Sequence, residues 1–343
     1  MEGKSKFSIH VVVHQDMNIA FDLIDSFQNL VNRRLADLEL LVYFSDCSDA
    51  FYNQLTGRIG DLWSCKSFKG ENIGFAAANN FLAARSCGRY LVFLNPDCRL
   101  VEADFDDLEG QLSERTQIVA FRQVVGDIHA PVSNSTHKFL DGITTDLFFF
   151  AQQSTSRNRF QYADGAAFAV DRQVWNLVGG FDTNLFMYLE DVDFCLSAKT
   201  FGAYVVYSRK FLVRHHSGAS SKGGLSLASE SRHVTSISRR ELTESNTLYL
   251  GIKHFSYVTL LVWLPFWILQ FLANFVMYTL AMDLGHMRSM ARAAKRASRL
   301  ITFALRKHKM TRHSIRDDIN NISHFSKIPS KYIFWKEHGI PKS

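Results

Sequence analysis

The sequence has few of the features that mark stapled, repetitive or secreted proteins. Its five cysteines among 343 residues are scattered and include no CxxC pair, so neither a zinc knuckle nor a dithiol redox site has support, and we expect reduced thiols. It also lacks GxGxxG and GxxxxGKS/T, which leaves dinucleotide and P-loop phosphate binding without a motif. The charged start MEGKSKFS lacks the apolar region of a secretory signal, so we expect a cytoplasmic start.

Apolar residues are abundant, but charge is distributed unevenly. The content of 47% hydrophobic and 13% aromatic residues suffices for a large core and excludes a disordered chain. The net charge is +6, yet residues 286–343 hold 14 lysines and arginines against 3 acidic residues, or +11, which leaves −5 for residues 1–285. Because this basic tail carries no nucleic-acid recognition motif, we expect no nucleic-acid partner.

Short apolar runs alternate with helical patterns over the first 120 residues, which predicts an α/β fold with a Rossmann-like sheet flanked by helices. The predicted strands are Phe7–Val13, Glu39–Phe44, Tyr90–Leu94 and Ile118–Phe121, and the predicted helices are Ile19–Leu30 and Phe75–Ala84. Residues 122–160 lose the period and are predicted to be a long functional loop. Further strands are predicted within 160–170 and 203–208, and further helices within 171–178 and 190–201.

Residues 255–282 form a run of 28 residues without a charged side chain, interrupted by Pro265. One membrane span needs about 20 residues and two need about 40, so we predict a re-entrant or in-plane helical hairpin bent at Pro265. An apolar core or oligomer helix is the alternative. The basic residues that follow are predicted to share one face of an amphipathic helix suited to anionic lipid. They are Arg288, Arg292, Lys295, Arg296 and Arg299.

Asp97 follows the predicted strand 90–94, at the carboxyl edge of the sheet, where open α/β folds bind ligands. A carboxylate there can hold a hard divalent cation, although a turn aspartate in the Asn95-Pro96-Asp97 bend is the alternative.

Three carboxylates, Glu190, Asp191 and Asp193, lie among apolar side chains at the start of a predicted helix. Burial would raise their pKa values and favour a general base, whereas a helix N-terminus would lower them and make them caps.

Two further segments could contact a ligand. His215 and His216 follow a predicted strand and could bind a metal or a diphosphate, although adjacent histidines in a loop often have no such role. Asn72, Gly74 and Asn80 stand at the start of a predicted helix whose amides could receive an anion, or they form a turn that serves packing.

Six blocks occur in an order that resembles glycosyltransferase family 2, in particular its rhamnosyltransferase-like members with the GT-A fold. The blocks are NIGFAAANN (72–80), LNPD (94–97), DGAAF (164–168), GGFD (179–182), YLEDVD (188–193) and HHSGASS (215–221). The resemblance extends over about residues 7–250 and is most specific from 164 to 221.

The resemblance implies a role for each matched position. Asp97 would bind Mg²⁺ or Mn²⁺ together with His215 or His216, Asp191 would be the catalytic base, and Glu190 would orient it or touch the acceptor. The donor would contact Asn72, Gly74, Asn80, Asp46, Asp164 and Gly165.

This chain departs from the family pattern at three places. The segment around Asp46, where the family reads the nucleotide base, is irregular; Arg89 replaces a commonly acidic residue; and Ser245 stands before Asn246 where relatives often have arginine.

The expected activity is inverting transfer of a sugar such as rhamnose from a nucleotide diphosphate to a saccharide acceptor on a polyprenyl diphosphate. This step would serve bacterial surface polysaccharide synthesis, such as that of O-antigen, at the cytoplasmic face of the inner membrane, with homo-oligomers an open possibility. The expected organisation is a catalytic domain (1–222), a helical linker (223–252), a membrane hairpin (253–285) and a basic tail (286–343). The alternatives are a sugar-phosphate nucleotidyltransferase and a catalytically degenerate membrane-bound assembly partner.

Overall fold

The computed structural model describes residues 6–30, 37–60, 64–113, 117–125, 138–140, 143–144, 152–153, 162–216, 236–310 and 318. The chain divides into two compact units. The first comprises Met1–Gly142, Tyr162–Phe186 and Glu190–Ser220, and the second comprises Ile143–Gln161, Met187–Leu189 and Ser221–Ser343.

The first unit contains a mixed sheet and six helices among its described residues. Its strands are β1 (Phe7–His14), β2 (Leu38–Ser45), β3 (Ser64–Gly70), β4 (Tyr90–Leu94), β5 (Cys98–Ala103), β6 (Gln117–Val125), β7 (Lys138–Leu140), β10 (Ala167–Asp171) and β11 (Tyr204–His215). Its helices are α1 (Ala20–Leu30), α2 (Asp49–Ile59), α3 (Phe75–Ala83), α4 (Phe105–Ser113), α5 (Arg172–Val178) and α6 (Glu190–Thr200).

The sheet has the order β3-β2-β1-β4-β10-β6-β11-β5, with β7 beside β6. Strands β3, β2, β1 and β4 are parallel, β10 runs antiparallel to β4 and β6, and β11 runs parallel to β6. The predicted α/β architecture with a Rossmann-like first half is therefore confirmed.

Helices cover both faces of the central strands, which explains their nearly continuous burial. Leu40, Val42 and Phe44 of β2 belong to the core that contains residues of α1, α2 and α4. The alternate residues Leu41 and Tyr43 pack with Ala78 and Leu82 of α3. All eight residues of β2 are buried for this reason.

Two sequence boundaries differ from the structure. The strand predicted within 160–170 begins only at Ala167, and the strand predicted within 203–208 continues to His215. Within 122–160, β6 continues to Val125 and the short strands β7, β8 (Ile143–Thr144) and β9 (Gln152–Gln153) occur. The rest of the predicted functional loop lies outside the described residues.

The second unit contains three long helices, α7 (Ile237–His254), α8 (Tyr257–Leu280) and α9 (Leu284–Met310). Helix α8 continues through Pro265 as a single helix, so the hairpin predicted to turn at that residue is wrong. Proline removes one backbone hydrogen bond from a helix. Trp263, two residues before Pro265, and Trp267, two residues after it, are both buried. Trp263 packs so closely on Gly251 of α7 that a Cβ there would lie 2.4 Å from its ring.

Helix α8 is long and apolar enough to cross a membrane, a test by length and composition that a core helix can also pass. Its 24 residues extend about 36 Å, against a hydrocarbon layer of about 30 Å. Only Trp263, Trp267, Asn274 and Tyr278 of α8 are buried.

Helix α9 has a buried face and a face with exposed basic residues. Its buried residues include Met290, Ala293, Ala297, Leu300 and Ala304. Arg288, Arg292, Lys295 and Arg299 are exposed, whereas Arg296 is half-buried. Arg296 therefore does not belong to the exposed basic face that the sequence predicts.

Candidate active site

Sheet register brings the predicted site residues of the first unit to one edge. Ala167 at the start of β10 pairs with Leu94 at the end of β4. His215 at the end of β11 pairs with Cys98 at the start of β5. The turns that carry Asp97 and Gly165 are joined because the Asn95 amide donates to the Ala166 carbonyl over 2.8 Å.

Asp97 and His215 face each other at this edge. The Nε2 atom of His215 lies 3.3 Å from Oδ1 of Asp97, and its Nδ1 lies 3.2 Å from Oε1 of Gln123 on β6. Burial acts to raise the pKa of Asp97, but the charge and hydrogen bond of His215 outweigh it, so that pKa is lowered. Asp97 is therefore a buried carboxylate that keeps its charge.

The third member of this cluster is Cys98 rather than His216. Ligand atoms of Asp97, Cys98 and His215 all lie within 4.8 Å of one another. The Cys98 thiol contacts the Ala166 carbonyl at 3.5 Å, and burial raises its pKa well above the usual value. His216 is exposed, and its backbone amide donates to the Asp97 carbonyl over 3.0 Å. The loop that follows, residues 217–221, lies outside the described residues.

A divalent cation fits the donors at this edge. Carboxylate oxygen is the ligand that Mg²⁺ and Mn²⁺ share, and a neutral imidazole can bind the softer of the two. Asp97 supplies the carboxylate oxygen, and His215 supplies the imidazole nitrogen. The protonated thiol of Cys98 contributes little to a hard cation.

Asp191 lies in the first turn of α6 and is half-buried. Its Oδ2 accepts from the Gly165 amide over 2.8 Å, and its Oδ1 accepts from the Val192 amide over 2.7 Å. Burial and then the charge of Asp164 raise its pKa to about 7, despite these two hydrogen bonds. A carboxylate that titrates near neutrality and remains partly exposed can accept a proton from a bound ligand.

Glu190 stands beside Asp191 but is fully enclosed. It is 5% exposed, and its Oε2 has no hydrogen-bond partner among the described residues. Burial first, and then the charge of Asp191, raises its pKa well above the usual value. Glu190 is thus an enclosed acid with a raised pKa, behind the partly exposed Asp191. Asp193 is also buried.

Asp164 connects the two groups of site residues electrostatically. Its Oδ1 accepts from the Ala166 amide over 2.9 Å, which holds the turn before β10. Its charge raises the pKa of Cys98 and that of Asp191. Gly165 in the same turn leaves room for α6, since a Cβ there would lie 3.4 Å from the Cβ of Asp191.

The predicted donor-binding residues near α3 divide into exposed and structural ones. Asn72 is exposed, and its Oδ1 accepts from the Gly74 amide over 3.0 Å. Gly74 has a φ of +83°, and a Cβ there would clash with Phe186 at 2.5 Å. Asn80 donates to the Phe181 carbonyl and accepts from the Phe181 amide, so its amide group joins α3 to the GGFD turn.

Asp46 is exposed in the left-handed region (φ 54°) directly after β2. Its amide donates to the Gly70 carbonyl at the end of β3 over 3.0 Å. Asp46 therefore stands at the same edge of the sheet as Asp97, because β2 and β4 both run parallel to β1.

The sequence does not predict that Cys98 and Gln123 lie beside Asp97 and His215. It offers His216 as a metal ligand, but His216 is not part of the cluster. Cys98 carries a usable signal, since it directly follows Asp97. Gln123 carries none, because its contact with His215 depends on the register between β6 and β11. Arg89, which departs from the family pattern, pairs with Asp171 at 3.3 Å.

Several solved structures with related architecture are glycosyltransferases. The structure of GalNAc-T7 with UDP, GalNAc and Mn²⁺ matches with a TM-score of 0.59 and 14% identity over 98% of this chain and 59% of that one. The mannosyltransferase PcManGT of Pyrobaculum calidifontis, with GDP-Man and Mn²⁺, matches with a TM-score of 0.50 and 11% identity over 94% and 85%. TarS 1-349 of S. aureus, with UDP-GlcNAc, matches with a TM-score of 0.51 and 11% identity over 90% and 93%.

The chain spans only 59% of the GalNAc-T7 chain and 54% of the longer TarS chain. No family model and no curated protein sequence matches it. At these identities the likeness establishes the fold, which is the GT-A fold of nucleotide-sugar glycosyltransferases.

Proposed function

We propose that the chain is an inverting glycosyltransferase that moves a sugar from a nucleotide diphosphate to an acceptor hydroxyl. The observation that carries the proposal is the juxtaposition of three side chains at one edge of a GT-A sheet. They are Asp97, whose buried carboxylate keeps its charge, His215 at 3.3 Å from it, and Asp191, whose pKa is about 7. The first group suits a diphosphate-bound cation, and the second suits proton removal.

Asp191 is the proposed base. Its partly exposed carboxylate takes the proton of the acceptor hydroxyl while that oxygen attacks the anomeric carbon, and the bond to the leaving phosphate oxygen breaks on the opposite face. The electron pair leaves with the nucleoside diphosphate. The backbone amides of Gly165 and Val192 hold the two carboxylate oxygens of Asp191 in place for this step.

Asp97 and His215 are the proposed metal ligands, with Asp164 and Gly165 beside the donor. A divalent cation at these residues would neutralise charge on the departing diphosphate. Asp46 and Asn72 are exposed and available to a nucleotide, while Gly74 and Asn80 support the surrounding backbone. Glu190 is enclosed beside Asp191, so of its two expected roles we retain that of orienting the base.

The finer features of the proposal come from the sequence resemblance. They are rhamnose as the sugar, a polyprenyl-diphosphate-linked saccharide as the acceptor, and a role in bacterial surface polysaccharide synthesis such as that of O-antigen. The apolar surface of α8 and the exposed basic residues of α9 support a membrane location, which would bring a lipid-borne acceptor to the enzyme. Because nucleotide sugars are cytoplasmic, the proposed location is the cytoplasmic face of the inner membrane.

A thermal-shift screen of nucleotide sugars with Mn²⁺ or Mg²⁺ tests donor binding. A ligand that binds only the native state at 100 times its Kd stabilises it by about 2.7 kcal/mol. We expect a metal-dependent shift with one nucleotide class, and Asp97→Asn should remove the metal-dependent part of it. The absence of a shift with every UDP-, dTDP- and GDP-sugar would contradict the proposal.

Sugar-phosphate nucleotidyl transfer is the second candidate, because it also uses a Rossmann-like half and a metal-binding aspartate. It would release pyrophosphate rather than a nucleoside diphosphate. A degenerate assembly partner would release neither.

A further inference from the structure

The second unit contains a chain of hydrogen bonds that ends on the segment Met187–Leu189. Arg296 of α9 donates through Nη1 to Ser245 Oγ over 2.6 Å and to Asn246 Oδ1 over 2.5 Å. Asn246 of α7 is completely buried. Its Nδ2 donates to the carbonyls of Met187 over 3.0 Å and Tyr188 over 2.7 Å. One arginine thus orients an amide that binds two consecutive carbonyls.

The backbone at the end of this chain of bonds is strained. Tyr188 and Leu189 both have φ angles of 69°, and Phe186 before them has 64°. A left-handed residue other than glycine is strained, and such residues persist only where neighbouring groups hold them. Asn246 supplies two of the holding bonds, and the Arg239 guanidinium lies 5.4 Å from the centre of the Tyr188 ring.

Leu189 is joined by one peptide bond to Glu190, which begins α6 and is followed by Asp191. The backbone angles of Tyr188 and Leu189 therefore determine the direction in which the chain enters the first turn of α6. Only two peptide bonds separate Leu189 from Asp191. A change in the backbone angles of this segment therefore changes the orientation of the Asp191 backbone directly.

We propose that Asn246 and Arg296 are positioning residues for the transfer reaction. They hold the strained segment 187–189 and so fix the direction from which Asp191 is presented. This inference rests on the proposed role of Asp191 as base. It assigns to helix α9 a part in catalysis in addition to any contact with lipid.

Arg292 provides a matched control, one helical turn before Arg296 on α9. Its Nε pairs with Glu241 of α7 at 2.6 Å, and its side chain is 51% exposed. Both arginines thus join α9 to α7, but only Arg296 bonds to Asn246. An effect of total charge or of α7–α9 packing should appear in both alanine variants.

The experiment compares Arg296→Ala, Arg296→Lys and Arg292→Ala in detergent, with hydrogen exchange and with transfer kinetics at saturating metal. In Arg296→Ala we expect faster exchange confined to residues 187–192. We expect kcat to fall about 10-fold to 100-fold, as for a slightly misplaced catalytic group, with the KM for the donor within about twofold, because donor binding is retained. Arg296→Lys should be intermediate, since lysine can make one of the two bonds. Arg292→Ala should match the wild type.

Equal exchange and equal kcat in Arg296→Ala and Arg292→Ala would overturn the proposal. So would a change in donor KM with kcat unaffected, because that result indicates a binding role. If the wild type itself transfers no sugar, the proposed function fails, and the exchange data then decide the positioning role alone. Faster exchange at 187–192 in Arg296→Ala supports that role, and unchanged exchange contradicts it.

Discussion

At the scale of single residues, environment separates the roles of neighbouring acids. Glu190 and Asp191 are adjacent, yet Glu190 is 5% exposed without a partner for its Oε2 among the described residues, while Asp191 is half-buried and accepts two amides. Burial raises the pKa of both acids, and that of Asp191 is raised to about 7. The partly exposed acid can therefore exchange a proton with substrate near neutral pH, and the enclosed one cannot.

Asp191→Asn tests the base directly. An amide cannot accept the acceptor proton, so we expect kcat to fall about 10²-fold to 10⁴-fold. The measurement is the rate of product formation, with donor binding by thermal shift as a check that the variant is folded. Glu190→Gln should lower kcat less, because Glu190 is enclosed and its carboxyl does not reach the acceptor hydroxyl. An equal loss in both variants would argue against a separate role for Asp191.

The pH dependence of transfer follows from the raised pKa of Asp191. The base must be ionised, so kcat/KM should rise with pH through a midpoint near 7, rather than near 4 as for an ordinary aspartate. The stability of the native state should change with pH in the opposite direction. An acid whose pKa is raised on folding stabilises the native state at low pH, and that contribution is lost as pH rises through 7. A flat kcat/KM profile between pH 5 and 8 would contradict this assignment.

At the scale of elements, glycine and asparagine hold α3 against the segment that precedes α6. Gly74 stands before α3 with a φ of +83°, and Phe186 occupies the space where a Cβ would lie. Asn80 of α3 makes two hydrogen bonds to the backbone of Phe181. Asn80, which the sequence suggests for donor binding, thus joins the NIGFAAANN and GGFD blocks, and Gly74 lets Phe186 pack against the start of α3.

Gly74→Ala should destabilise the first unit. The substitution combines a strained left-handed conformation with overpacking against Phe186, which together cost on the order of 2–4 kcal/mol. Gly57→Ala in α2 is the control, because a Cβ there meets nothing within 4 Å and alanine favours a helix by about 0.5–1 kcal/mol. Urea unfolding should place the two variants on opposite sides of the wild type, and equal midpoints for both would refute the argument.

The sequence predicts elements better than it predicts contacts between them. Strand Tyr90–Leu94 and the start of α6 at Glu190 are given by local apolar patterns and appear as predicted. The pairing of His215 with Gln123 and the burial of Arg296 depend on sheet register and helix packing, which no local pattern encodes. Pro265 shows the reverse error, since this strong local helix breaker lies inside the single helix α8.

At the scale of the whole molecule, the apolar surface of α8 is the main feature that the catalytic proposal leaves unexplained. Leu261, Leu269 and Leu280 are 77%, 67% and 79% exposed. A contiguous exposed apolar surface marks contact with a membrane or with another protein. The exposed basic residues Arg288 and Arg299 of α9 favour an anionic lipid surface.

Glutamate at Leu261, Leu269 and Leu280 together should abolish flotation with anionic vesicles. A leucine side chain that moves from water into the lipid contributes about 1.5–3 kcal/mol to membrane binding, and a carboxylate at the same position removes that contribution. Leu177→Glu in α5 is the control, since this leucine is also exposed, at 56%, but lies in the first unit. If the triple variant floats as the wild type does, α8 is instead a protein-contact helix, and the membrane location is wrong.

The central claim is sugar transfer from a nucleotide diphosphate, with Asp191 as base. Phosphorus-31 NMR of the purified chain with Mg²⁺, a panel of nucleotide sugars and a bacterial lipid extract as acceptor tests it most directly. The account predicts that one donor is converted to free nucleoside diphosphate, and that Asp191→Asn abolishes this signal. Release of pyrophosphate, or nucleoside diphosphate release that persists unchanged in Asp191→Asn, would contradict it.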